Sequence, residues 1–177
     1  RQPVLLLLAG IVKLSSPGPI IFCQDRYGLD GCPFKIFKFR TMFVTESGST
    51  KDLQQAKRND PRVTSIGRLM RQLSLDELPQ LFNVLNGSMS LVGPRPHAVA
   101  HNEQYRTQIT GYMQRHIFRP GITGLAQVQG FRGETPRFES MYNRIEADLH
   151  YLKEWSIAFD FRIMIITLFN LWSRKAY

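Results

Sequence analysis

The segment from Ser74 to Pro96 constrains the fold more than any other part of this 177-residue chain. An acidic pair, Asp76-Glu77, is followed there by Pro79 and, further on, by Gly87. Proline kinks or ends a helix beyond the first turn, and glycine commonly follows a helix's last residue. The segment therefore predicts a short helix over 79–86 and places the two acids on a strained turn rather than in a regular helix.

Two interpretations of the acidic pair are open. In the first, Ser74 caps a helix, Glu77 completes a capping box, and Asp76 suits the positive end of the helix dipole. In the second, the carboxylates carry out chemistry, because a carboxylate can hold a metal ion or attack phosphorus. Local sequence favours neither interpretation.

Arginines near the acidic pair indicate an anionic ligand. Arg95 stands between Pro94 and Pro96, and a guanidinium fork matches the oxygens of a phosphate. Arg68 and Arg71 share one face of a predicted short helix over 67–73, just before the acids. This combination predicts phosphoryl-type chemistry.

The charge balance limits the kinds of partner. Lysine and arginine number 23 against 14 aspartates and glutamates, so the net charge is +9. Such a surface favours a polyanion: nucleic acid, an anionic membrane or phosphate-bearing substrates. The aromatic residues lie in apolar runs rather than among basic residues, so no nucleic-acid partner is expected. The length fits a single domain over 1–177.

Few residues have metal-binding potential outside the acidic pair. Cys23 and Cys32 are too few for a zinc site without companions, and we expect free thiols, although a disulfide stays open. His97 and His101 have a helical spacing that ligands can use, but no third ligand or helix glutamate accompanies them. We therefore expect no metal at this histidine pair.

Residues 4–12 form an uncharged apolar run directly after Pro3. The run is too short to span a bilayer, which takes roughly 20 apolar residues, and it lacks the features of a signal peptide. It suits the second arm of a re-entrant membrane hairpin over 1–14, with a plain buried helix as the alternative. We expect the chain to be the C-terminal part of a longer protein, cut inside a membrane-dipping segment.

The remaining segments predict an α+β fold that is mainly helical. Two aromatic runs, over 20–24 and 34–42, surround a turn and predict a β-hairpin, with Lys38 and Arg40 on one face of the second strand. Residues 99–118 are predicted to be helical with a break near Gly111. The glycine-punctuated stretch over 119–134 is either a connector or a loop whose amides cradle an anion.

Two helices are predicted at the C-terminal end. Thr135 and Pro136 suit the start of the first helix, whose apolar stripe is expected in the core: Met141, Ile145, Leu149 and Leu152. Residues 155–172 are apolar and aromatic, with polar residues roughly on one face: Asp160, Thr167, Asn170 and Arg174. This pattern favours an amphipathic helix lying at a membrane interface, with a core helix as the alternative.

With these motifs in view, the chain resembles the bacterial sugar transferase family, the monotopic polyprenyl-phosphate glycosyl-1-phosphate transferases. The resemblance covers nearly the whole chain and rests on Ser16-Pro17-Gly18-Pro19, Lys38-Phe39-Arg40-Thr41-Met42, Ser74-Leu75-Asp76-Glu77-Leu78-Pro79-Gln80, Gly93-Pro94-Arg95-Pro96 and Arg119-Pro120-Gly121-Ile122-Thr123-Gly124. The tail, with Arg132-Gly133-Glu134-Thr135 and Glu154-Trp155-Ser156, resembles the undecaprenyl-phosphate glucose phosphotransferases that start colanic-acid and xanthan-type exopolysaccharides. Gln2-Pro3 stands where many relatives carry Ser-Pro.

The resemblance implies transfer of a sugar-1-phosphate, glucose-1-phosphate by the tail, from a UDP-sugar to undecaprenyl phosphate with release of UMP. It implies that Asp76 is the nucleophile and a ligand of Mg²⁺, and that Glu77 assists by binding or proton handling. The residues expected to bind phosphate or substrate are Lys38, Arg40, Arg71, Arg95, Arg119, Gln127 and Arg132.

The same resemblance implies a monotopic domain on the cytoplasmic face of the bacterial inner membrane. Galactose is the nearest rival to glucose as the sugar transferred. A non-catalytic basic membrane-surface module and a scaffold subunit of a polysaccharide assembly complex are alternatives from other functional classes. A homo-oligomer, formed by packing of the C-terminal helix on a second copy, is also left open.

Overall fold

The computed structural model describes residues 2–44, 60–133 and 137–172. These residues form seven α-helices and two separate two-stranded sheets, with short 3₁₀ turns between several of them. The prediction of a mainly helical α+β fold is therefore confirmed at the level of fold class.

The N-terminal part of the domain combines a helix with a hairpin. Helix α1 covers Gln2–Ser15. Strand β1, Ile21–Tyr27, pairs antiparallel with strand β2, Pro33–Phe39, around a 3₁₀ turn at Leu29–Gly31. Alternating residues of a strand face opposite sides, and aromatic and β-branched residues suit that half-buried surface. The predicted hairpin is confirmed.

One hydrophobic cluster joins α1 to the hairpin and to helix α2, which covers Ser65–Gln72. Its buried members are Leu8, Val12, Phe39 and Met70. Thr64 caps α2, because its Oγ1 accepts a 2.9 Å hydrogen bond from the amide of Gly67. Gly67 also lets α2 approach the chain after β2, since a Cβ there would lie 2.1 Å from the carbonyl oxygen of Thr41.

The acidic pair lies on a 3₁₀ turn, Leu75–Glu77, as the breakers in the sequence predicted. Pro79 directly precedes helix α3, Gln80–Leu85, and Gly87 follows that helix with a φ of 79°. The capping-box interpretation is wrong. Ser74 has left-handed backbone geometry, with a φ of 57°, and among the described residues its side chain makes no capping hydrogen bond.

A parallel pair of very short strands joins the two halves of the domain. Strand β3, Ser90–Val92, pairs with strand β4, Gly121–Thr123. A Cβ on Gly121 would lie 2.1 Å from the amide nitrogen of Gly93, so glycine is required for this approach. The amide of Gly121 donates to the carbonyl of Pro94 over 3.0 Å. Backbone packing therefore uses this amide, while anion binding by other amides of the stretch over 119–134 stays a prediction.

Helices complete the C-terminal half. Helix α4 covers Val99–Tyr105, and a 3₁₀ turn at Tyr112–Ile117 follows Gly111, whose φ of 77° confirms the predicted break. Helix α5, Leu125–Val128, follows β4, and the described part of helix α6 covers Phe138–Glu154. The predicted helix start at residues 135–136 lies outside the described residues.

The apolar stripe of α6 lies in the core, as predicted. Met141 and Ile145 are buried with Ile109 and Tyr112, and Leu149 packs against this cluster. The last member of the stripe packs elsewhere: Leu152 contacts a separate cluster whose buried residues are Val92, Leu125, Tyr151 and Ile163.

The last helix, α7, covers Ile157–Trp172 and turns most of its polar side chains toward the domain, whereas Arg162 is exposed. Asp160 accepts a 2.8 Å hydrogen bond from the hydroxyl of Tyr151, and Thr167 lies 2.7 Å from Thr123 between hydroxyl oxygens. The outward side chains are apolar and 53–70% exposed: Ile157, Phe161, Ile165, Leu168 and Phe169. The helix is amphipathic, as predicted, but its outer face is the apolar one. Arg174 lies outside the described residues.

None of the helices within residues 2–44, 60–133 and 137–172 is both long enough and apolar enough to cross a bilayer.

Candidate active site

Three cations converge on the carboxylate of Glu77 within the described part of the chain. The ammonium of Lys38, on β2, lies 2.8 Å from Oε1. Arg95, in the segment after β3, approaches the same oxygen at 2.9 Å, and Arg132, after α5, lies 3.4 Å from Oε2. Glu77 itself is only 6% exposed. The fold thus brings distant parts of the sequence together around one buried carboxylate.

The cations decide the ionisation state of Glu77. Burial raises the pKa of a carboxyl group because the charged form loses its hydration. Arg95, Lys38 and Arg132 outweigh that effect and hold the pKa of Glu77 well below its ordinary range. Glu77 is therefore charged at neutral pH and anchors these three side chains.

Asp76 has a different environment from its neighbour. It is 8% exposed, and no residue that the structure describes donates a hydrogen bond to its carboxylate. Burial raises the pKa of Asp76, and the charges of Lys38 and Arg71 oppose this shift without cancelling it. Asp76 is thus a poorly solvated carboxylate whose oxygens accept no hydrogen bond from the described part of the chain, which suits a nucleophile.

Arg71 faces this carboxylate from α2. Its Nε donates a 2.8 Å hydrogen bond to the hydroxyl of Thr41, which fixes the side chain against the loop after β2. Its charge lowers the pKa of Asp76. The predicted residues Lys38, Arg71, Arg95 and Arg132 therefore all act on the acidic pair.

A buried network fixes the backbone beside Arg95. Arg115 Nη2 donates to the carbonyl of Arg95 over 2.5 Å, and Arg115 also bonds the carboxylate of Asp148 at 2.7 and 3.1 Å. Arg115 and Asp148 are 2% and 1% exposed. Sequence reasoning missed both residues. The position of Asp148 beside Ile145 and Leu149, inside the apolar stripe of α6, was the available signal, because a buried charge needs a partner.

Of three further predicted binding residues, two make contacts elsewhere and one is exposed. The guanidinium of Arg40 donates to the carbonyls of Val12 and Ser16 at 3.3 and 2.5 Å, which ties the end of α1 to the hairpin. Gln127 donates to the carbonyl of Ile122 over 3.0 Å, and Arg119 is exposed. Phosphate or substrate binding by Arg40, Gln127 and Arg119 stays a prediction.

Metal binding by Asp76 stays a prediction. Within the described residues there is no group of three or more histidine, cysteine, aspartate or glutamate side chains that could hold a metal ion. The imidazole Nδ1 of His97 is hydrogen-bonded to the side chains of Tyr112 and Arg115, each at 2.8 Å. The side chain of His101 is not among those that the structure describes. Cys23 and Cys32 are exposed free thiols, as expected.

Comparison with known proteins defines the class of this chain. The family model described as "Bacterial sugar transferase" matches residues 1–174. The chain therefore belongs to the bacterial sugar transferase family, and the resemblance carried by its motifs is confirmed.

Several curated members of this family are similar in sequence to the chain. The chain is 59% identical to the UDP-glucose:undecaprenyl-phosphate glucose-1-phosphate transferase of Escherichia coli (strain K12), over 99% of this chain and 37% of that protein. It is 53% identical to the protein of the same name from Xanthomonas campestris pv. campestris, over 98% of this chain and 36% of the relative. It is 40% identical to the galactosyl transferase CpsE of Streptococcus agalactiae, over 92% and 38%. The chain thus spans little more than a third of these relatives.

Proposed function

We propose that this chain transfers glucose-1-phosphate from UDP-glucose to undecaprenyl phosphate, releases UMP, and so begins the synthesis of an exopolysaccharide. The observation that carries the proposal is the contrast within the acidic pair. Glu77 is locked by three cations, whereas the adjacent buried Asp76 receives no hydrogen bond from the described residues. The names of the relatives with the highest identities quoted above support the choice of sugar and acceptor.

The charge of the site suits a diphosphate. Lys38, Arg71, Arg95 and Arg132 outnumber the two carboxylates on which they act. Positive charge that is not fully compensated in a partly buried site attracts phosphate, and guanidinium groups bind it with directed hydrogen bonds. The two phosphates of a nucleotide sugar and the phosphate of the lipid acceptor supply the missing negative charge.

In the proposed first step, a carboxylate oxygen of Asp76 attacks the phosphorus that carries the sugar. The bond from this phosphorus to the oxygen that bridges the two phosphates breaks, and UMP leaves with that oxygen and its electron pair. In the second step, an oxygen of undecaprenyl phosphate attacks the same phosphorus and the Asp76 oxygen leaves. One difficult displacement becomes two easier ones, and the carboxylate is regenerated.

The other site residues orient the reacting groups. Glu77 holds Lys38, Arg95 and Arg132 so that their charges face the same volume, which limits the entropy lost when phosphate binds. Asp76 also fits Mg²⁺, because this ion is commonly held by one or two carboxylates together with substrate phosphates. When bound there, Mg²⁺ would spread the charge of the diphosphate.

We further propose that the domain lies on the cytoplasmic face of the bacterial inner membrane, with α1 as the second arm of a re-entrant hairpin. Among the described α-helices, α1, α3 and α7 carry the most exposed large apolar side chains, which support this placement. The most exposed on each are Leu14 on α1, Leu85 on α3 and Phe169 on α7, at 89%, 82% and 70%. Apolar helix faces of this kind bind at the boundary between headgroups and acyl chains.

The test is UMP release by the protein in nanodiscs, with Mg²⁺ and undecaprenyl phosphate, and with UDP-glucose and UDP-galactose offered separately. We expect release with UDP-glucose that depends on the lipid acceptor. Release with UDP-galactose alone would establish the rival sugar, which the name of the Streptococcus agalactiae relative suggests. Binding to vesicles without release from either donor would favour a non-catalytic membrane-surface module.

A further inference from the structure

The end of β1 lies directly against the segment that carries Arg95. The backbone of Arg26 forms an isolated antiparallel bridge with Ala98. The side chain of Arg26 then returns toward the same segment, and its Nη1 donates a 3.3 Å hydrogen bond to the carbonyl of Pro96. Its Nη2 donates to the side-chain oxygen of Gln24 on the same strand.

Two guanidinium groups therefore hold consecutive carbonyls. Arg115 donates to the carbonyl of Arg95 over 2.5 Å, and Arg26 donates to the carbonyl of Pro96. Proline has no N–H to donate, so its carbonyl is its only backbone hydrogen-bonding group. With both carbonyls held, the two peptide units that directly follow the Cα of Arg95 are restrained.

We propose that Arg26 is a positioning residue, which fixes the guanidinium of Arg95 for phosphate binding by holding the carbonyl of Pro96. Arg95 is the group that contacts the ligand, and Arg26 acts through it. The identity of that ligand as a nucleotide sugar rests on the proposed function, whereas the positioning of Arg95 for an anion does not.

The environment of Arg26 argues that this side chain does more than stabilise the fold. Burial lowers the pKa of Arg26 to about 10, with a further contribution from the like charge of Arg95, and Glu77 only partly opposes these effects. Among the described residues, the buried Nε of Arg26 has no hydrogen-bond partner. Because the cation is less favourable here than in water, removing its charge is not expected to destabilise the fold.

The experiment measures the binding of UMP and of inorganic phosphate by calorimetry. The variants are Arg26→Met, Arg26→Lys, Arg95→Met and the double variant Arg26→Met/Arg95→Met. Lys35→Met is the matched control, because it removes a cation from the same hairpin. The side chains of Lys35 and of its ion-pair partner Asp25 are 65% and 61% exposed. Thermal unfolding of every variant is recorded in parallel.

We expect Arg26→Met to weaken UMP binding about tenfold, as loss of a charge-assisted hydrogen bond does, with a melting temperature no lower than that of the control. Arg26→Lys should restore most of the affinity, because an ammonium can also donate to the Pro96 carbonyl. In the Arg95→Met background, Arg26→Met should have no further effect, since the residue it positions is absent.

Unchanged affinity in Arg26→Met would overturn the proposal, and so would a loss that adds fully to that of Arg95→Met. If Arg26→Met fails to fold, Arg26→Lys decides. An affinity close to that of the wild type supports the proposal, and an affinity as low as that of Arg95→Met rejects positioning through a single donor. If the wild-type protein binds phosphate but not UMP, the proposed function is rejected. The phosphate affinities of the variants then still test the role of Arg26. Binding of neither ligand would reject both proposals.

Discussion

The ammonium of Lys38 lies 2.8 Å from the carboxylate of Glu77, although one residue is on a strand and the other is on a 3₁₀ turn. Lys38 also lowers the pKa of the adjacent Asp76. One side chain of the hairpin therefore acts on both acids. This relationship makes the hairpin a part of the site rather than a scaffold beside it, and it leads to predictions that separate the two carboxylates.

Asp76→Asn should abolish UMP release, with a loss of at least about 10⁴-fold, as expected when a covalent nucleophile is removed. Binding of UDP-glucose should stay measurable, because the cations around Glu77 are retained. The measurement is UMP release in nanodiscs, with intact-protein mass spectrometry to detect a phosphosugar adduct on the wild type. Asp25→Asn, which alters an exposed carboxylate, is the control. Wild-type turnover in Asp76→Asn would reject the nucleophile.

Lys38→Met should move the acidic limb of the pH–rate profile to higher pH. The reaction needs ionised Asp76, so the rate falls as pH falls through the pKa of this group. Burial already raises that pKa above the ordinary 3.8, and Lys38 opposes the rise. Removing Lys38 therefore raises the pKa further. The profile of kcat/KM for UMP release measures the shift, and an acidic limb that stays in place would contradict the assigned charge interaction.

Glu77→Gln should destabilise the fold by about 3–5 kcal/mol at neutral pH, because three cations lose the buried charge that holds them together. The pKa of Glu77 is lowered in the fold, so its stabilising contribution is present above the unfolded value, near 4.5, and is lost as pH falls through the folded value. The difference between wild type and variant should therefore shrink below that pH. Chemical denaturation at several pH values measures it.

The control for Glu77→Gln is Glu103→Gln, which removes an exposed pair with Arg106 and should change stability by less than about 1 kcal/mol. A Glu77→Gln protein as stable as this control would show that the cation cluster does not depend on Glu77.

Arg95→Lys should lower kcat/KM about 100-fold, because a lysine keeps the charge but loses the fork that can bond a phosphate while Nη2 contacts Glu77. UMP release over a range of UDP-glucose concentrations separates the effects on kcat and KM. Arg106→Lys, at an exposed position, is the matched control. Equal activity of the two variants would argue against a directed phosphate contact by Arg95.

Removal of Mg²⁺ with a chelator should stop UMP release, and added Mg²⁺ should restore it, because the site otherwise relies on side-chain cations to offset the diphosphate charge. The matched measurement is UMP release before chelation, after chelation and after addition of the metal. An unaffected rate after chelation would remove the metal from the proposed reaction.

Features that depend on local sequence could be predicted. Glycine at position 87 and proline at position 79 act on the backbone of their own turn, so the short elements around the acids followed from them directly. The hairpin followed from two aromatic runs around a turn. The parallel pairing of β3 with β4 could not be predicted, because three-residue strands have no readable periodicity and their contact depends on the close approach of Gly93 and Gly121.

The site was predictable only in part for the same reason. Arg95 was identified from its position between two prolines, whereas Lys38 and Arg132 were assigned to the site through the family resemblance. These three residues are far apart in sequence, and only the tertiary fold joins them around Glu77. That resemblance also included Arg40, whose guanidinium the fold uses to connect α1 to the hairpin. The positioning residues Arg26 and Arg115 act through backbone carbonyls, a role that leaves no pattern in the sequence.

The orientation of α7 has a consequence for how the domain keeps its shape. The polar residues Asp160 and Thr167 form hydrogen bonds within the domain, while Phe161, Leu168 and Phe169 face outward. An apolar phase that binds this face more strongly than it binds the unfolded chain raises the free energy of unfolding through linkage. An amphiphile that covers this face in that way is thermodynamically a ligand of the fold, and the melting temperature should rise with its concentration.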